Sequence, residues 1–113
     1  MAKPEEITAF LKKFKPLIVK ELNFVRRKEN LATISSLGLT IPDVKSILSQ
    51  LTYKDYVKGP ESDKDGSGSM VWEFGIHIKG EAIYIKLSDD FSFDKARCIS
   101  FHIAMYPVQY PYK

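Results

Sequence analysis

Side chains that can donate or accept protons or bind phosphate recur at alternate positions of three stretches, 71–78, 82–87 and 98–104. These polar positions hold Glu73, His77, Tyr84, Lys86, Ser100 and His102. The positions between them are apolar, and this period of two predicts three strands of a sheet with one buried face. The polar residues would then share the opposite face.

These residue types suit RNA cleavage in which the substrate's own 2′-hydroxyl is the nucleophile. Such cleavage needs a base, an acid and fixed positive charge, but no metal. Glu73 or His102 could accept the hydroxyl proton, and His102 or Tyr84 could protonate the leaving 5′-oxygen. Lys58 and Lys86 could stabilise the charge on the phosphorane. His102 is the best single candidate for proton transfer, because the unperturbed pKa of histidine, ~6.5, is nearest to neutrality.

Each of these residues also has an ordinary structural explanation. A Glu73–Lys86 pair across two strands is common on exposed sheet faces, and tyrosine at position 84 is a strong strand former. Only the convergence of several such groups favours catalysis. The alternative is a non-catalytic module that binds RNA or a protein partner.

Helices are predicted before the strands. Residues 4–15 have apolar side chains at helical spacing, and Pro16 is expected to end this helix. An extended piece follows at 22–26. A second helix, closed by Gly38, has an apolar stripe of Leu31, Ile34 and Leu37. Thr40 is expected to cap a third.

The remaining elements form the predicted sheet. A first strand at 56–58 should stop at Gly59-Pro60, where a mobile surface loop over 59–70 begins. A tight hairpin at Lys79-Gly80 pairs residues whose numbers sum to 159, which gives every apolar residue an apolar partner. Tyr84 then faces Gly75 and is left uncovered. The prediction is an α+β domain, with N-terminal helices packed on a C-terminal twisted antiparallel sheet of about four strands.

Composition limits the classes of protein that fit. A chain of 113 residues with 44% apolar and 27% charged residues is expected to be one globular domain, 1–113. No apolar run approaches the ~18 residues that would span a bilayer. The lone Cys98 is expected to fill the core, and a single cysteine suits a reducing cytoplasm. Neither a zinc-ligand spacing nor a glycine-rich phosphate loop is present, so no metal or nucleotide cofactor is expected.

Basic side chains cluster at Lys12-Lys13, at Arg26, Arg27 and Lys28, and in the C-terminal stretch that ends at Lys113, although the net charge is only +3. Such patches can bind RNA phosphates, or they can be solvated surface. The C-terminal residues also allow two interpretations. Tyr106, Tyr110 and Tyr112 could stack on unpaired bases, or this segment could pack over the helices.

A series of short motifs runs in a fixed order from about residue 20 to residue 103. They are Val25-Arg26-Arg27, Leu37-Gly38-Leu39, Asp43-Val44, Ile47-Leu48, Leu51-Thr52, Asp55-Tyr56 with Lys58, Trp72-Glu73, Ile83-Tyr84-Ile85-Lys86 and Ile99-Ser100-Phe101-His102. This ordered series resembles the MqsR family of bacterial toxins, in the RelE-like group of messenger-RNA endoribonucleases. The resemblance implies metal-independent mRNA cleavage, growth arrest and neutralisation by a cognate antitoxin of a type II module.

The resemblance also assigns site residues. It places the family's active-site lysine on Lys58, its polar residue after tryptophan on Glu73 and its tyrosine on Tyr84, with Lys86 beside it. Two positions depart from the better-known members, which carry glutamine where this chain has Glu73 and lysine where it has His102. Both departures put into the expected site an ionisable group whose pKa is lower than that of lysine.

Overall fold

The computed structural model describes residues 1–63, 69–90 and 95–113. The helices are α1 (Pro4–Lys20), α2 (Lys28–Ser36) and α3 (Ile41–Ser49), with a 3-10 turn at Tyr53–Asp55. The strands are β1 (Leu22–Phe24), β2 (Tyr56–Ser62), β3 (Met70–Ile78), β4 (Glu81–Asp90) and β5 (Lys95–Ile103). The predicted α+β class, with helices at the N-terminus and a mostly antiparallel sheet after them, is confirmed.

The strands form one sheet in the order β1-β5-β4-β3-β2. The predicted hairpin register is confirmed from Val71 opposite Ser88 to Ile78 opposite Glu81. The sheet has one strand more than predicted, because β1 pairs in parallel with β5. The antiparallel part, β2 to β5, is the sheet that the alternation indicated.

Helices α1 and α3 contribute to the core that the apolar face of the sheet buries. Phe74, Ile85 and Phe101 have no exposed surface, and neither do Phe14 of α1 and Leu48 of α3. The Phe10 ring stacks on the Trp72 indole with 4.5 Å between centroids. The opposite face of the sheet is therefore free of helices α1 and α3. No helix of the described residues is long and apolar enough to cross a membrane.

Helix α1 continues past Pro16, so the predicted end at residue 15 is wrong. Pro16 lies inside the helix on its exposed side. Leu17 and Ile18, which follow it, are both buried in the core. A proline in a helix interior costs about 3 kcal/mol, and the burial of two large apolar side chains offsets that cost.

Strand β2 also runs further than predicted, through Gly59-Pro60 to Ser62. Proline is tolerated on an edge strand such as β2, and Pro60 lies where the pairing with β3 is irregular, between Lys58 and Glu61. Gly59 has φ +113°, and a Cβ at this position would lie 2.7 Å from the carbonyl oxygen of Val71. Residues 64–68 of the predicted loop lie outside the described residues.

Helix α2 buries polar residues instead of the whole predicted stripe. Leu31 is at the surface, whereas Asn30 and Thr33 are buried. The Asn30 amide donates to the carbonyl oxygens of Val25 and Ile99, each at 2.9 Å, and accepts from the Phe101 N–H at 3.0 Å. The Thr33 hydroxyl accepts from the Ile103 N–H at 3.2 Å.

Helix α2 thus binds the edge of β5 beyond residues 96–98, which pair with β1. The pairing of β5 with β4 shifts at Lys86/Leu87, which makes Ile99 an extra residue in β5. The bulge turns Cys98 into the core, where burial raises the pKa of its thiol to about 12. After the bulge, Ser100 and His102 pair with Lys86 and Tyr84 on the polar face.

Candidate functional site

Four of the five predicted catalytic residues line one groove on the polar face, and each comes from a different strand. Lys58 is on β2, Glu73 on β3, Tyr84 on β4 and His102 on β5. Strand pairing brings them together, because Lys58 is the partner of Glu73 and Tyr84 the partner of His102. The groove has a volume of about 810 Å³, which is within the usual size range of ligand sites.

The buried carboxylate of Glu73 is at the centre of the polar contacts in this groove. Glu73 is only 8% exposed. One carboxylate oxygen accepts a hydrogen bond from the Tyr84 hydroxyl at 2.5 Å. The other lies 3.5 Å from the Lys58 ammonium nitrogen. Each oxygen of the buried carboxylate therefore has one donor group beside it.

Both partners of Glu73 hold their protons more firmly than usual. Burial, and then the hydrogen bond to Glu73, raises the pKa of the Tyr84 hydroxyl well above its usual value. The charge of Glu73, assisted by that of Glu61, raises the pKa of the Lys58 ammonium. At neutral pH the groove thus contains a protonated lysine and a protonated tyrosine.

His102 has one ring nitrogen committed to the backbone. Its Nδ1 lies 3.0 Å from the carbonyl oxygen of Ile103. A carbonyl oxygen only accepts, so Nδ1 carries the hydrogen, and in the neutral ring Nε2 keeps its lone pair. The imidazole ring lies 5.3 Å from the Tyr84 ring, at a tilt of 44°. The neutral imidazole therefore has a nitrogen that can accept a proton.

The remaining predicted residues lie outside the lining of the groove. Lys86 is the strand partner of Glu73, as the register predicted, but the ion pair that Glu73 makes in the structure is with Lys58. Arg26, Arg27 and Lys28 follow β1, at the edge of the sheet opposite to β2. The Lys113 ammonium lies 4.6 Å above the ring of Tyr110, which does line the groove.

The C-terminal segment, residues 104–113, supplies groove residues beyond the predicted catalytic set. Residues 104–111 line the groove, and Val108 and Tyr110 cover Gly75. A Cβ at Gly75 would lie 2.8 Å from the Tyr110 hydroxyl and 3.0 Å from a Val108 methyl. The space over Gly75, which was expected to leave Tyr84 uncovered, is filled by this segment.

Packing of the C-terminal segment over the helices was the alternative to base stacking, and among the described residues Tyr112 comes nearest to it. The Tyr112 hydroxyl donates to the carbonyl oxygen of Ala2 at 2.6 Å, just before α1. Its ring contacts those of Tyr53 and Tyr56. The packing of Val108 and Tyr110 had one signal in the sequence, which is Gly75. A glycine inside a strand often marks a close approach of other atoms.

Metal ligands are not grouped in the described part of the chain. Within residues 1–63, 69–90 and 95–113, no three His, Cys, Asp or Glu residues are placed to hold one ion.

Comparison with known proteins gives one family. The model of the family described as "Motility quorum-sensing regulator, toxin of MqsA" matches residues 7–103. No curated protein and no solved structure matches the chain. The matched range includes the four strands that line the groove and ends just before the C-terminal segment.

Proposed function

Because the chain belongs to the MqsR toxin family, we propose that it is a toxin endoribonuclease that cleaves single-stranded messenger RNA in the cytoplasm. A cognate antitoxin protein neutralises it. The observation that supports this proposal best is the groove, where Glu73 contacts a protonated lysine and a protonated tyrosine beside a histidine with a free ring nitrogen. A base, an acid and fixed positive charge are what attack by a 2′-hydroxyl requires.

His102 is the base in this mechanism. Its Nε2 accepts the proton of the 2′-hydroxyl, and the 2′-oxygen attacks the adjacent phosphorus. The P–O5′ bond breaks as the Tyr84 hydroxyl gives its proton to the leaving 5′-oxygen. The products are a 2′,3′-cyclic phosphate and a 5′-hydroxyl end, and no metal is involved.

Lys58 stabilises the extra negative charge of the phosphorane, and its raised pKa keeps it charged for this role. Glu73 is a positioning residue, because both of its oxygens are engaged with the groups that it orients. Lys86 lies on the same face beyond the groove lining and contacts a neighbouring phosphate. Arg26, Arg27, Lys28 and Lys113 bind further phosphates of the RNA.

Purified protein tests the proposal directly. Incubated with single-stranded RNA in excess EDTA, it should produce fragments that end in a 2′,3′-cyclic phosphate or in its 3′-phosphate hydrolysis product. The assay is repeated with ribosomes. RNA that stays intact in both assays would contradict the proposal, and salt-sensitive RNA binding without product would favour a non-catalytic binding module.

The toxin role has a separate test in cells. Expression of this chain should arrest growth, and co-expression of the antitoxin encoded by an adjoining reading frame should restore it. His102→Ala should abolish the arrest at equal protein level. Arrest that persists with this variant would show that RNA cleavage by His102 is not its cause.

A further inference from the structure

The C-terminal segment leaves one aromatic ring in the groove with little contact to the protein. Of its three tyrosines, Tyr112 is held by Ala2, Tyr53 and Tyr56, and Tyr110 lies on Gly75. Tyr106 also lines the groove but is 82% exposed. Two of the tyrosines therefore hold the segment against the protein, and the third is exposed to solvent in the groove.

Half of the exposed large apolar side chains among the described residues lie at the same place. Among the described residues, the large apolar side chains with the highest exposure are Met1 (87%), Tyr106 (82%), Val19 (79%) and Met105 (71%). Three of these four, all except Val19, line the groove. Exposed apolar side chains that are grouped in this way, and not scattered singly, mark binding sites.

We propose that Tyr106 is a stacking platform for an unpaired nucleobase of the RNA, next to the scissile phosphate. This inference rests on the proposed function and adds a base-binding subsite to it. Lys58 and His102 line the same groove as Tyr106, so a strand whose phosphate lies at these residues can place an adjacent base on Tyr106. A tyrosine ring stacks on any base, and such stacking contributes substantially to single-strand binding.

The anchoring of residues 108–112 limits the movement of the segment that carries Tyr106. The hydroxyl of Tyr112 and the packing of Tyr110 and Val108 on Gly75 fix residues 108–112 against the protein. A platform that is already in place binds a base without paying to order the segment. The subsite lies beyond residue 103, where the family match ends, so it belongs to this chain's own C-terminal segment.

The test uses RNA that cannot be cleaved, so that binding is measured apart from chemistry. A fluorescein-labelled single strand with 2′-O-methyl groups throughout has no 2′-hydroxyl nucleophile. Tyr106→Ala should weaken its binding about tenfold by fluorescence anisotropy, and should raise KM for cleavable RNA by a similar factor with kcat changed less. Tyr106→Trp should restore both values, whereas Tyr106→Leu, which is apolar but has no ring, should not.

Val19→Ala is the matched control, because Val19 is equally exposed but lies on α1, outside the groove. Unchanged binding and KM in Tyr106→Ala, or full rescue by Tyr106→Leu, would overturn the inference. If the wild type binds the methylated RNA but cleaves no unmodified RNA, the proposed function is overturned. Binding of the methylated RNA by the Tyr106 variants would still decide the inference. If the wild type neither binds nor cleaves RNA, both the inference and the proposed function are overturned.

Discussion

At the scale of single residues, the groove is organised by one buried carboxylate. Glu73 is 8% exposed, and an ionised carboxylate at that depth is costly unless it has hydrogen-bond and charge partners. Tyr84 and Lys58 provide them. Removal of either partner therefore leaves Glu73 with an incomplete environment, in addition to any loss of chemistry.

His102→Ala and Lys58→Ala should each reduce the single-turnover rate of RNA cleavage at least ~100-fold, because one removes the proposed base and the other the proposed source of positive charge. Lys86→Ala should reduce it less than tenfold, because Lys86 lies outside the groove lining. His77→Ala and Lys54→Ala are matched controls, since both side chains are exposed and neither lines the groove. A rate within twofold of wild type for His102→Ala or Lys58→Ala would remove that residue from the mechanism.

Tyr84 should make the protein less stable in alkaline solution. Its folded pKa lies above the value of 10.0 expected without burial, so the folded state keeps a proton that the unfolded state loses. This contribution to stability is complete below about pH 10 and is lost as the pH rises from there towards the folded pKa. Cys98 acts in the same direction, because burial raises its pKa to about 12 from 9.0.

The comparison of Tyr84→Phe with wild type isolates the tyrosine, because Cys98 is present in both. Urea unfolding between about pH 9 and about pH 11 should show a smaller loss of unfolding free energy with pH for Tyr84→Phe than for wild type. Equal slopes for the two proteins would show that Tyr84 ionises as it does in the unfolded chain.

At the scale of elements, the sequence predicted what depends on local pattern. The register of β3 with β4 followed from the apolar alternation and a tight turn, where Lys79 and Gly80 both have positive φ. The extended piece at 22–26 was predicted, but its parallel pairing with β5 was not, because three residues are too few to show a period. The role of α2 was missed because Asn30 and Thr33 look like surface residues until β5 is placed beside them.

Asn30→Ala should lower the free energy of unfolding by about 2–4 kcal/mol, because it leaves the Ile99 carbonyl and the Phe101 N–H buried without a partner. Asn23→Ala, at an exposed position of β1, is the control and should change it by less than about 0.5 kcal/mol. Both values come from urea unfolding monitored by circular dichroism. A change in Asn30→Ala as small as that of the control would mean that α2 does not hold the edge of β5.

Gly75→Ala should disturb the C-terminal segment, because its methyl group would lie 2.8 Å from the Tyr110 hydroxyl. We expect a loss of about 1–3 kcal/mol in unfolding free energy and faster digestion of the C-terminus by a carboxypeptidase. Tyr110→Phe is the matched second change. It removes the closest atom, and its hydroxyl is buried without a hydrogen-bond partner among the described residues.

In the Tyr110→Phe background, the loss caused by Gly75→Ala should fall by at least about 0.5 kcal/mol. The relief is partial, because a methyl of Val108 remains 3.0 Å from the new carbon. Strict additivity of the two changes would show that Tyr110 does not limit the space over Gly75.

At the scale of the whole molecule, the candidate site combines residues of one hairpin with residues from distant parts of the chain. Strand register placed Glu73, Tyr84 and Lys86 near one another from the sequence alone. The ion pair of Lys58 with Glu73 and the return of the C-terminal segment to Gly75 depend on packing between distant parts of the chain. Local periodicity carries no information about such contacts, so these features required the structure.

Basic side chains lie at both edges of the sheet. Arg26, Arg27 and Lys28 follow the edge strand β1, while Lys58 is on the edge strand β2 at the other side of the sheet. The molecule is 32 Å across its longest axis. A long RNA could therefore contact both edges, whereas a very short one that occupies the groove could not.

The triple change of Arg26, Arg27 and Lys28 to alanine should weaken binding of an RNA about 16 nucleotides long but not of a tetranucleotide. Each phosphate contact to a single strand contributes about 0.7 to the slope of log K against log salt, so the slope should fall by ~2. The control replaces Lys12, Lys15 and Lys54, which brings the net charge from +3 to 0 as the first triple change does. Equal effects of the two triple variants would show that only total charge matters, and an effect limited to the first would place the path of the RNA across the sheet.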